Sequence, residues 1–469
     1  MLPRSFEEIS TLLGQNKISV SSIVDAYLTI IQDKNPHLNA FTEVFEEEAR
    51  GKALLVDQKL ANGTAGRLAG MVIGIKDLFC YANHELNCSS KILNGFESQI
   101  TATVVQRLVD EDAIVIGRQN CDEFGMGSSN ENSAKGPVKN DSDPVRVPGG
   151  SSGGSAVAVQ AGMCLLSLAS DTGGSIRQPA AFTGTYGLKP TYGRLSRYGL
   201  TAYASSFDCP GFIGNNTDDI ALAMEVASGY DPNDSTSSDE PPFVTVENTI
   251  ESRSIAVFPA LTSESTMDAP VYDNYQLTKD QLNQMADVYE EEFPFFDYLL
   301  PIYYILTSAE ASANLSRFDG VRYGYRSPNP ASIEELYKKT RTEGFGKEVL
   351  RRILLGTFVL SANYHDAFYV KALKARALVK KHLKSLFEKY DFILLPTTPT
   401  VAFPLEEKTS DPVEMYLSDI FTTMASIGGF PAISIPTGES PEGLPVGMQL
   451  IANEFEEGNL LSFSNQLKV

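Results

Sequence analysis

An α/β fold is predicted for this 469-residue chain by three observations. Helix-like and apolar strand-like segments alternate along its first third. Three short apolar runs of strand length recur near its end. Between them, Pro148 to Pro190 reads PGGSSGGSAVAVQAGMCLLSLASDTGGSIRQPAAFTGTYGLKP, two Gly/Ser turns packed around an apolar strand.

In chain order, Ser5-Phe6-Glu7-Glu8 is a capping-box pattern opening a short helix. Ser22 begins a second, with Ile23, Ala26, Tyr27, Ile30 and Ile31 on one face. A third spans about Glu43 to Leu60, giving a helical lead-in over about 1–62. Leu68 to Ile75 reads as a strand that delivers Lys76 at its end; Thr103 to Asp110 reads as a helix and Ala113 to Gly117 as a strand. The turn Gly149-Gly150-Ser151-Ser152-Gly153-Gly154-Ser155 then leads into a small-residue helix, Ala156 to Gly162, and an apolar strand, Met163 to Leu168. A second turn, Asp171-Thr172-Gly173-Gly174-Ser175, follows directly.

The strongest loop signal is Tyr230 to Pro242, YDPNDSTSSDEPP, which separates a core from an insertion. Ser254 to Phe258 resumes as a strand, and an acidic, mostly helical insertion covers about 259–390. Phe392 to Leu395, Ala432 to Ile435 and Met448 to Ile451 return the chain to the same sheet. All of 1–469 is read as one domain, with no internal repeat.

Composition narrows the function. Lys+Arg 38 against Asp+Glu 59 gives a net charge of −21, which argues against a broad polyphosphate-binding surface; any RNA is held by another subunit. There is no run of 18 apolar residues and no apolar h-region in MLPRSFEEIS, so a soluble, cytoplasmic protein without membrane contact is expected. Five widely spaced cysteines (Cys80, Cys88, Cys121, Cys164, Cys209) suit reduced thiols. The histidines, His37, His84, His365 and His382, lack ligand spacing, so no metal site is expected.

The chemistry is expected at the two Gly/Ser turns. Without Cβ atoms, such turns can aim several backbone N–H groups at one point, as a developing oxyanion requires. A flexible linker is not normally sandwiched between apolar segments. A phosphate loop is excluded because no Lys stands in the required place. Gly149-x-Ser151-x-Gly153 matches a nucleophile elbow, but the preceding 141–148 holds two prolines and makes a poor central strand. A serine nucleophile needs a base, and no histidine lies near either turn in sequence. Lys76, flanked by Ile73, Ile75, Leu78 and Phe79, has neighbours compatible with desolvation to the neutral amine.

These motifs, GIKD with Lys76, GGSSGGSA and SDTGGSIRQPAAF, resemble the amidase signature family. YGLKPTYGRLSRYGL, SANLSRFDGVRYGYRS, PAISIP and LPVGMQLIA extend the resemblance over the whole chain, toward the glutaminase (A) subunits of glutamyl-tRNA(Gln)/aspartyl-tRNA(Asn) amidotransferases. The resemblance implies the amidase signature fold, a large mixed β-sheet core surrounded by α-helices. It implies a Ser-Ser-Lys triad of Ser175 as nucleophile, Ser151 as relay and Lys76 as base, with a cis peptide joining Gly150 to Ser151. Thr172, Gly173, Gly174 and Ser175 would supply the oxyanion hole. Arg352, in FGKEVLRRILLGTF, would take the α-carboxylate of glutamine, with Arg351 as its rival; Asp419, in MYLSDIF, would take the ammonium. Tyr304 and the Gly125 to Ser129 loop, Ser128 included, would line the pocket. Ser152 and Ser155 are read as supporting the turn or capping the next helix.

The resemblance further implies hetero-oligomeric partners: a tRNA-binding, kinase-like B subunit using ATP and Mg2+, a small C subunit, and misacylated tRNA reached through them. The chain itself would bind no cofactor. A stand-alone amidase and a non-catalytic scaffold are the alternative functions, and an organellar matrix is the alternative location. Two departures stand out: Lys76-Asp77-Leu78 where the family more often has KDN or KDV, and TTMASIGGFP after Asp419 in place of the usual Asn- and Leu-containing pattern.

Overall fold

Apolar runs long enough for a strand, with no polar face, require cover on both sides of a sheet. In this computed structural model, which describes residues 2–245 and 253–467, the runs obtain it. Among the described residues the strands are β1 (Phe41–Val44), β2 (Val72–Lys76), β3 (Ile114–Gln119), β4 (Leu166–Asp171), β5 (Tyr186–Lys189), β6 (Cys209–Gly214), β7 (Ser254–Val257), β8 (Asp287–Glu290), β9 (Phe392–Pro396), β10 (Ala432–Glu439) and β11 (Pro445–Ala452). They form one sheet in the order β1-β3-β2-β4-β6-β5-β10-β11-β9-β7-β8. It is mixed: β2 runs parallel to β3 and β4, and β7 parallel to β8 and β9, whereas the other pairs are antiparallel. The C-terminal apolar runs do rejoin the sheet, as β9, β10 and β11. With helices around it, this is the mixed-sheet architecture that the motifs implied.

Every residue of β2, β3 and β4 is buried, including Lys76, Ser170 and Asp171. Parallel pairing places Ile75 opposite Leu168, so the carboxyl ends of β2 and β4 lie side by side. Open sheets bind ligands beyond such ends. The helix Gly153–Gln160 packs against β2 and β4, and the fully buried helix Arg177–Thr183 against β5, β10 and β11, one helix for each of the two Gly/Ser turns. The long helices Phe296–Asn314 and Lys347–Val359 pack on one another beside it, each carrying one of the predicted pocket residues.

Several boundaries differ from the expectations. The second helix starts at Val20, not Ser22: Ser19 is the N-cap and Ser22 its reciprocal capping partner. Ser5 caps the first helix, but Glu8 accepts from Arg4 N and so does not close a capping box. Glu43 lies in β1, an edge strand paired to β3, and the third helix starts only at Glu46; the lead-in is not purely helical. The strand predicted from Leu68 begins at Val72, because Leu68 N already bonds the carbonyl of Glu111 outside the ladder. The run predicted from Met163 pairs only from Leu166 and extends through Asp171. The region 259–390 is mostly helical, with an irregular stretch at 318–332 and one strand, β8, which extends the sheet edge. Among the described residues, 230–245 hold no helix or strand, and no helix is long and apolar enough to cross a membrane.

The two long helices approach closely at Gly356. A Cβ there would lie 1.9 Å from the carbonyl oxygen of Ser308, an atom that cannot rotate away. Gly356→Ala is expected to destabilise the fold by about 1–3 kcal/mol, the usual cost of overpacking. A lower urea midpoint with an unchanged slope is the measurement that checks it.

Candidate active site

Lys76 ends β2, and the parallel register brings Ser170 of β4 beside it. The fully buried Lys76 Nζ lies 2.8 Å from Ser151 Oγ, 2.8 Å from Ser152 Oγ, 3.0 Å from Ser170 Oγ and 3.3 Å from the Ser170 carbonyl. Ser152 Oγ donates to that same carbonyl at 3.2 Å, so its proton is committed and it accepts from Lys76. Ser151 Oγ has no such commitment and can face the amine as donor or acceptor. Burial lowers the Lys76 pKa to about 8, against the opposing pull of Cys121, Asp122, Asp171 and Asp208. A lysine in this setting loses its proton about two pH units sooner than a solvated one. The Gly150–Ser151 peptide is cis.

The second turn is held from three sides. Arg177 clamps Asp171 at its start in a bidentate pair, Nε to Oδ2 at 3.0 Å and the second nitrogen to Oδ1 at 2.9 Å, with both side chains wholly buried. Thr422 Oγ1 donates to the Gly173 carbonyl at 2.6 Å, and Thr172 Oγ1 donates to Asp208 at 2.9 Å. Gly174 has φ +149°, and a Cβ there would meet Thr422 Oγ1 at 2.3 Å, so only glycine fits. Ser152 N donates to the Ser175 carbonyl at 3.1 Å, which joins the two turns. Ser175 remains slightly exposed, at 7%. Among the described residues none accepts a hydrogen bond from the N–H of Gly173, Gly174 or Ser175.

Beside the turn is a pocket of opposite charges. Arg352 is buried, donating to Glu348 Oε1 at 2.8 Å and to the Tyr203 hydroxyl at 2.6 Å. The rings of Tyr203, Tyr304 and Tyr416 stand 5.2–5.6 Å from its guanidinium carbon. Tyr304 stacks on Tyr416, and its buried hydroxyl has no hydrogen-bond partner among the described residues. Asp419 Oδ2 accepts from Ser128 Oγ at 2.6 Å; burial raises its pKa to about 7, against that hydrogen bond and the Arg352 charge. A cavity of about 290 Å³ reaches Arg352 past Gly127, Ser129 and Tyr416. Thr422 connects pocket and turn, bonding the carbonyls of both Asp419 and Gly173. Arg351, the rival, meets the other oxygen of Glu348 from the solvent side with 47% of its side chain exposed.

With this geometry in view, the relatives are informative. Residues 22–461 match the family described as Amidase. The chain belongs to that family. Among curated relatives, proteins named as the A subunit of glutamyl-tRNA(Gln) amidotransferase are 47% identical in Chlorobaculum parvum, covering 99% of this chain and 98% of that one, and 45% identical in Neisseria meningitidis, covering 100% and 98%. Among solved structures, the protein of the same name from Thermotoga maritima has 36% identity and a TM-score of 0.78, covering 95% of this chain and 93% of its own. A structure described as an amidase has 28% identity and a TM-score of 0.83, covering 99% of both chains.

The residues expected at the site are thus distributed in two contacting groups: Lys76, Ser151 and the 172–175 turn in one, Arg352, Tyr304, Asp419 and Ser128 in the other. Of the two roles read for Ser152, capping and turn support, it has the second: it makes no capping bond to the helix Gly153–Gln160, while its N–H bonds Ser175 O and its hydroxyl bonds Ser170 O and accepts from Lys76. Ser155 does not cap either, and its buried hydroxyl has no partner among the described residues. Sequence reasoning missed Ser170, Tyr203, Asp208, Tyr416 and Thr422. Only Ser170 carried a usable signal: it ends an apolar run, one residue before the Gly-rich turn. The departures also acquire a place. Leu78 is buried near Gly125, and in the altered C-terminal stretch Thr422 O and Ser426 Oγ accept from Arg177, so that stretch supports the turn.

Because Arg352 is buried and Arg351 is not, their truncations should differ. Arg352→Ala is expected to raise KM for glutamine by about two orders of magnitude, the scale of removing a buried charge partner. Arg351→Ala should change it less than threefold, as for exposed pairs. Steady-state glutaminase assays of both variants make the comparison.

Proposed function

We propose that this chain is the glutaminase subunit of a tRNA-dependent amidotransferase, acting over residues 1–469 as a single domain. It hydrolyses glutamine and supplies ammonia for conversion of Glu-tRNA(Gln), or Asp-tRNA(Asn), to the amidated form. The observation that carries this reading is the buried Arg352 and Asp419 beside the Gly-rich turn, a pair matched to the carboxylate and ammonium of an amino acid. A stand-alone amidase for a less polar amide has no use for them. The near full-length likeness to the amidotransferase proteins of Chlorobaculum parvum and Neisseria meningitidis supports the same choice. A scaffold would not require a desolvated lysine ringed by serine hydroxyls.

In the proposed reaction the Arg352 fork takes the α-carboxylate and Asp419 the ammonium, which extends the side-chain amide toward Ser175. Neutral Lys76 accepts the Ser151 proton while Ser151 accepts that of Ser175, and Ser175 Oγ bonds to the amide carbon. The resulting oxyanion is held by N–H groups of the 172–175 turn, a type of donor whose loss typically costs about 3–4 kcal/mol of barrier. The proton returns along the same relay to the leaving nitrogen, and the C–N bond breaks to release ammonia. Water, activated by the same relay, hydrolyses the γ-glutamyl ester to glutamate. In this reading the chain binds no cofactor. A B-type partner uses ATP and Mg2+ to activate the misacylated tRNA, a small C-type partner completes the assembly, and the location is cytoplasmic. The net charge of −21 fits a chain that leaves tRNA binding to a partner.

The pH dependence follows from two groups. Lys76 is protonated and inert below about 8 and becomes a base above it, so kcat should rise with pH to a plateau beyond that value. Asp419 of the free enzyme is neutral below about 7, so kcat/KM should rise more steeply than kcat in the acid range. Lys76→Arg, permanently charged, should be nearly inactive at every pH. A pH profile of glutamate release checks all three; full activity in the arginine variant would sink the relay.

Coupling to a partner is tested by omitting components in turn. The isolated chain is expected to hydrolyse glutamine weakly, and faster once the partner subunits, ATP and misacylated tRNA are supplied together. Full-rate glutamate release from the chain alone, unchanged by the additions, would leave the stand-alone amidase in its place.

A further inference from the structure

One buried carboxylate joins the two groups of site residues. Asp208 immediately precedes β6, whose first residue, Cys209, pairs with Asp171 at the end of β4, so its backbone is fixed beside the start of the 172–175 turn. Its Oδ1 accepts from Thr172 Oγ1 at 2.9 Å. Its Oδ2 accepts from the backbone N–H groups of Tyr203 at 2.9 Å and Ala204 at 3.0 Å. The Tyr203 hydroxyl in turn accepts from Arg352 at 2.6 Å, and its ring lies 5.6 Å from the guanidinium carbon. The path from Arg352 to the turn therefore runs through one aromatic side chain and one carboxylate, and every link is a short hydrogen bond or a covalent bond.

The surroundings make this path stiff. Asp208 is buried and makes no ion pair with any described residue, so these three donors are what hold it. Asp208 N and Phe207 N both donate to the Ala204 carbonyl at 2.8 Å, closing 204–208 into a tight loop. Tyr203 is 2% exposed and cannot adjust its ring without moving that loop. A shift of the Arg352 guanidinium toward an arriving carboxylate would thus pull on Tyr203, and through Asp208 on Thr172.

We propose that Asp208 is a positioning residue that makes the reactivity of the Ser175 turn depend on occupancy of Arg352 by a substrate carboxylate. The inference rests on the glutaminase reading of the site. It assigns Tyr203 and Asp208 a role in substrate discrimination at the chemical step: an amide without an α-carboxylate reaches Ser175 but does not draw the turn into its productive geometry. Specificity expressed in kcat, rather than in binding alone, is what such a device provides.

The test compares glutamine with 4-aminobutanamide, which keeps the amide and the amino group and lacks only the carboxylate. Ammonia release is measured with the full-length chain, together with any partner that co-purifies. In the wild type, kcat for glutamine is expected to exceed that for 4-aminobutanamide. In Asp208→Asn, compared on the alkaline plateau, one oxygen becomes an NH2 that cannot accept from its backbone or threonine donor; loosening of the turn lowers turnover of both substrates, and kcat for glutamine should fall about tenfold further than kcat for 4-aminobutanamide. Tyr203→Phe, which removes only the hydroxyl, should produce the same substrate-selective loss. The double variant should lose no more than either single one, because both cut the same path. An equal loss on both substrates, or additive losses in the double variant, would overturn the inference and leave Asp208 a structural support. If Asp208→Asn does not fold, Tyr203→Phe alone decides, since a loss shared by both substrates would overturn it equally. A wild type whose kcat for glutamine is no higher than for 4-aminobutanamide overturns the inference; if it does not hydrolyse glutamine at all, the glutaminase reading falls with it.

Discussion

The bidentate ion pair between Asp171 and Arg177 is the contact on which the site depends. Asp171 ends β4 and Arg177 opens the next helix, so the pair closes the five-residue turn between them into a fixed loop. Two wholly buried charges carry a desolvation cost that their attraction offsets only when the geometry is good and the remaining hydrogen bonds are made. Arg177 meets that condition through Thr422 O, Gln449 Oε1 and Ser426 Oγ, all from the C-terminal part of the chain. The function of the pair is thus geometric. It ties the turn to the sheet and to a C-terminal segment distant in sequence, and leaves the N–H groups of Gly173, Gly174 and Ser175 without acceptors among the described residues.

Lys76 illustrates how a sheet can lower the pKa of an amine. A lysine is normally charged at neutral pH because water solvates the ammonium. At the carboxyl end of a central strand it is enclosed on both faces, and burial outweighs the surrounding acidic groups. The polar ring of Ser151, Ser152 and Ser170 keeps the amine hydrogen-bonded in its neutral form without offering the full negative charge that would hold it protonated. The carboxylates of Asp122 and Asp208 lie further out, and their own other hydrogen bonds keep them there.

The pocket of Arg352 and Asp419 is built by the opposite means. Arg352 keeps its charge under burial because Glu348 and three tyrosine rings replace water around it, the rings offering their electron-rich faces. Its helix is held close to Phe296–Asn314 at Gly356, which sets Tyr304 against the guanidinium from one side while Tyr416 arrives from the C-terminal segment. Thr422 and Tyr303 then connect this pocket to the turn: the first bonds Gly173 O, and the ring of the second occupies the space that a Gly173 side chain would need.

The sequence by itself determined the α/β alternation, the position of Lys76 at a strand end, and the two Gly/Ser turns, because each is a local pattern: strand-length apolar runs, and glycines where a backbone must bend or be approached closely. Motif resemblance added Arg352, Asp419, Tyr304 and Ser128, which no periodicity singles out. Edge strands such as β1 and β8 escaped because they are short, with little or no buried face. Tertiary structure alone decided that Arg352 and not Arg351 is buried, since the two are adjacent in sequence and differ only in which side of one helix packs. It likewise decided that Ser152 serves Lys76, and that Asp208, Tyr203 and Thr422 bridge turn and pocket. These are contacts between segments tens to hundreds of residues apart, set by the register of β4 against β2 and β6, and a linear pattern carries no record of which distant hydroxyl or carboxylate that register will bring within hydrogen-bonding distance.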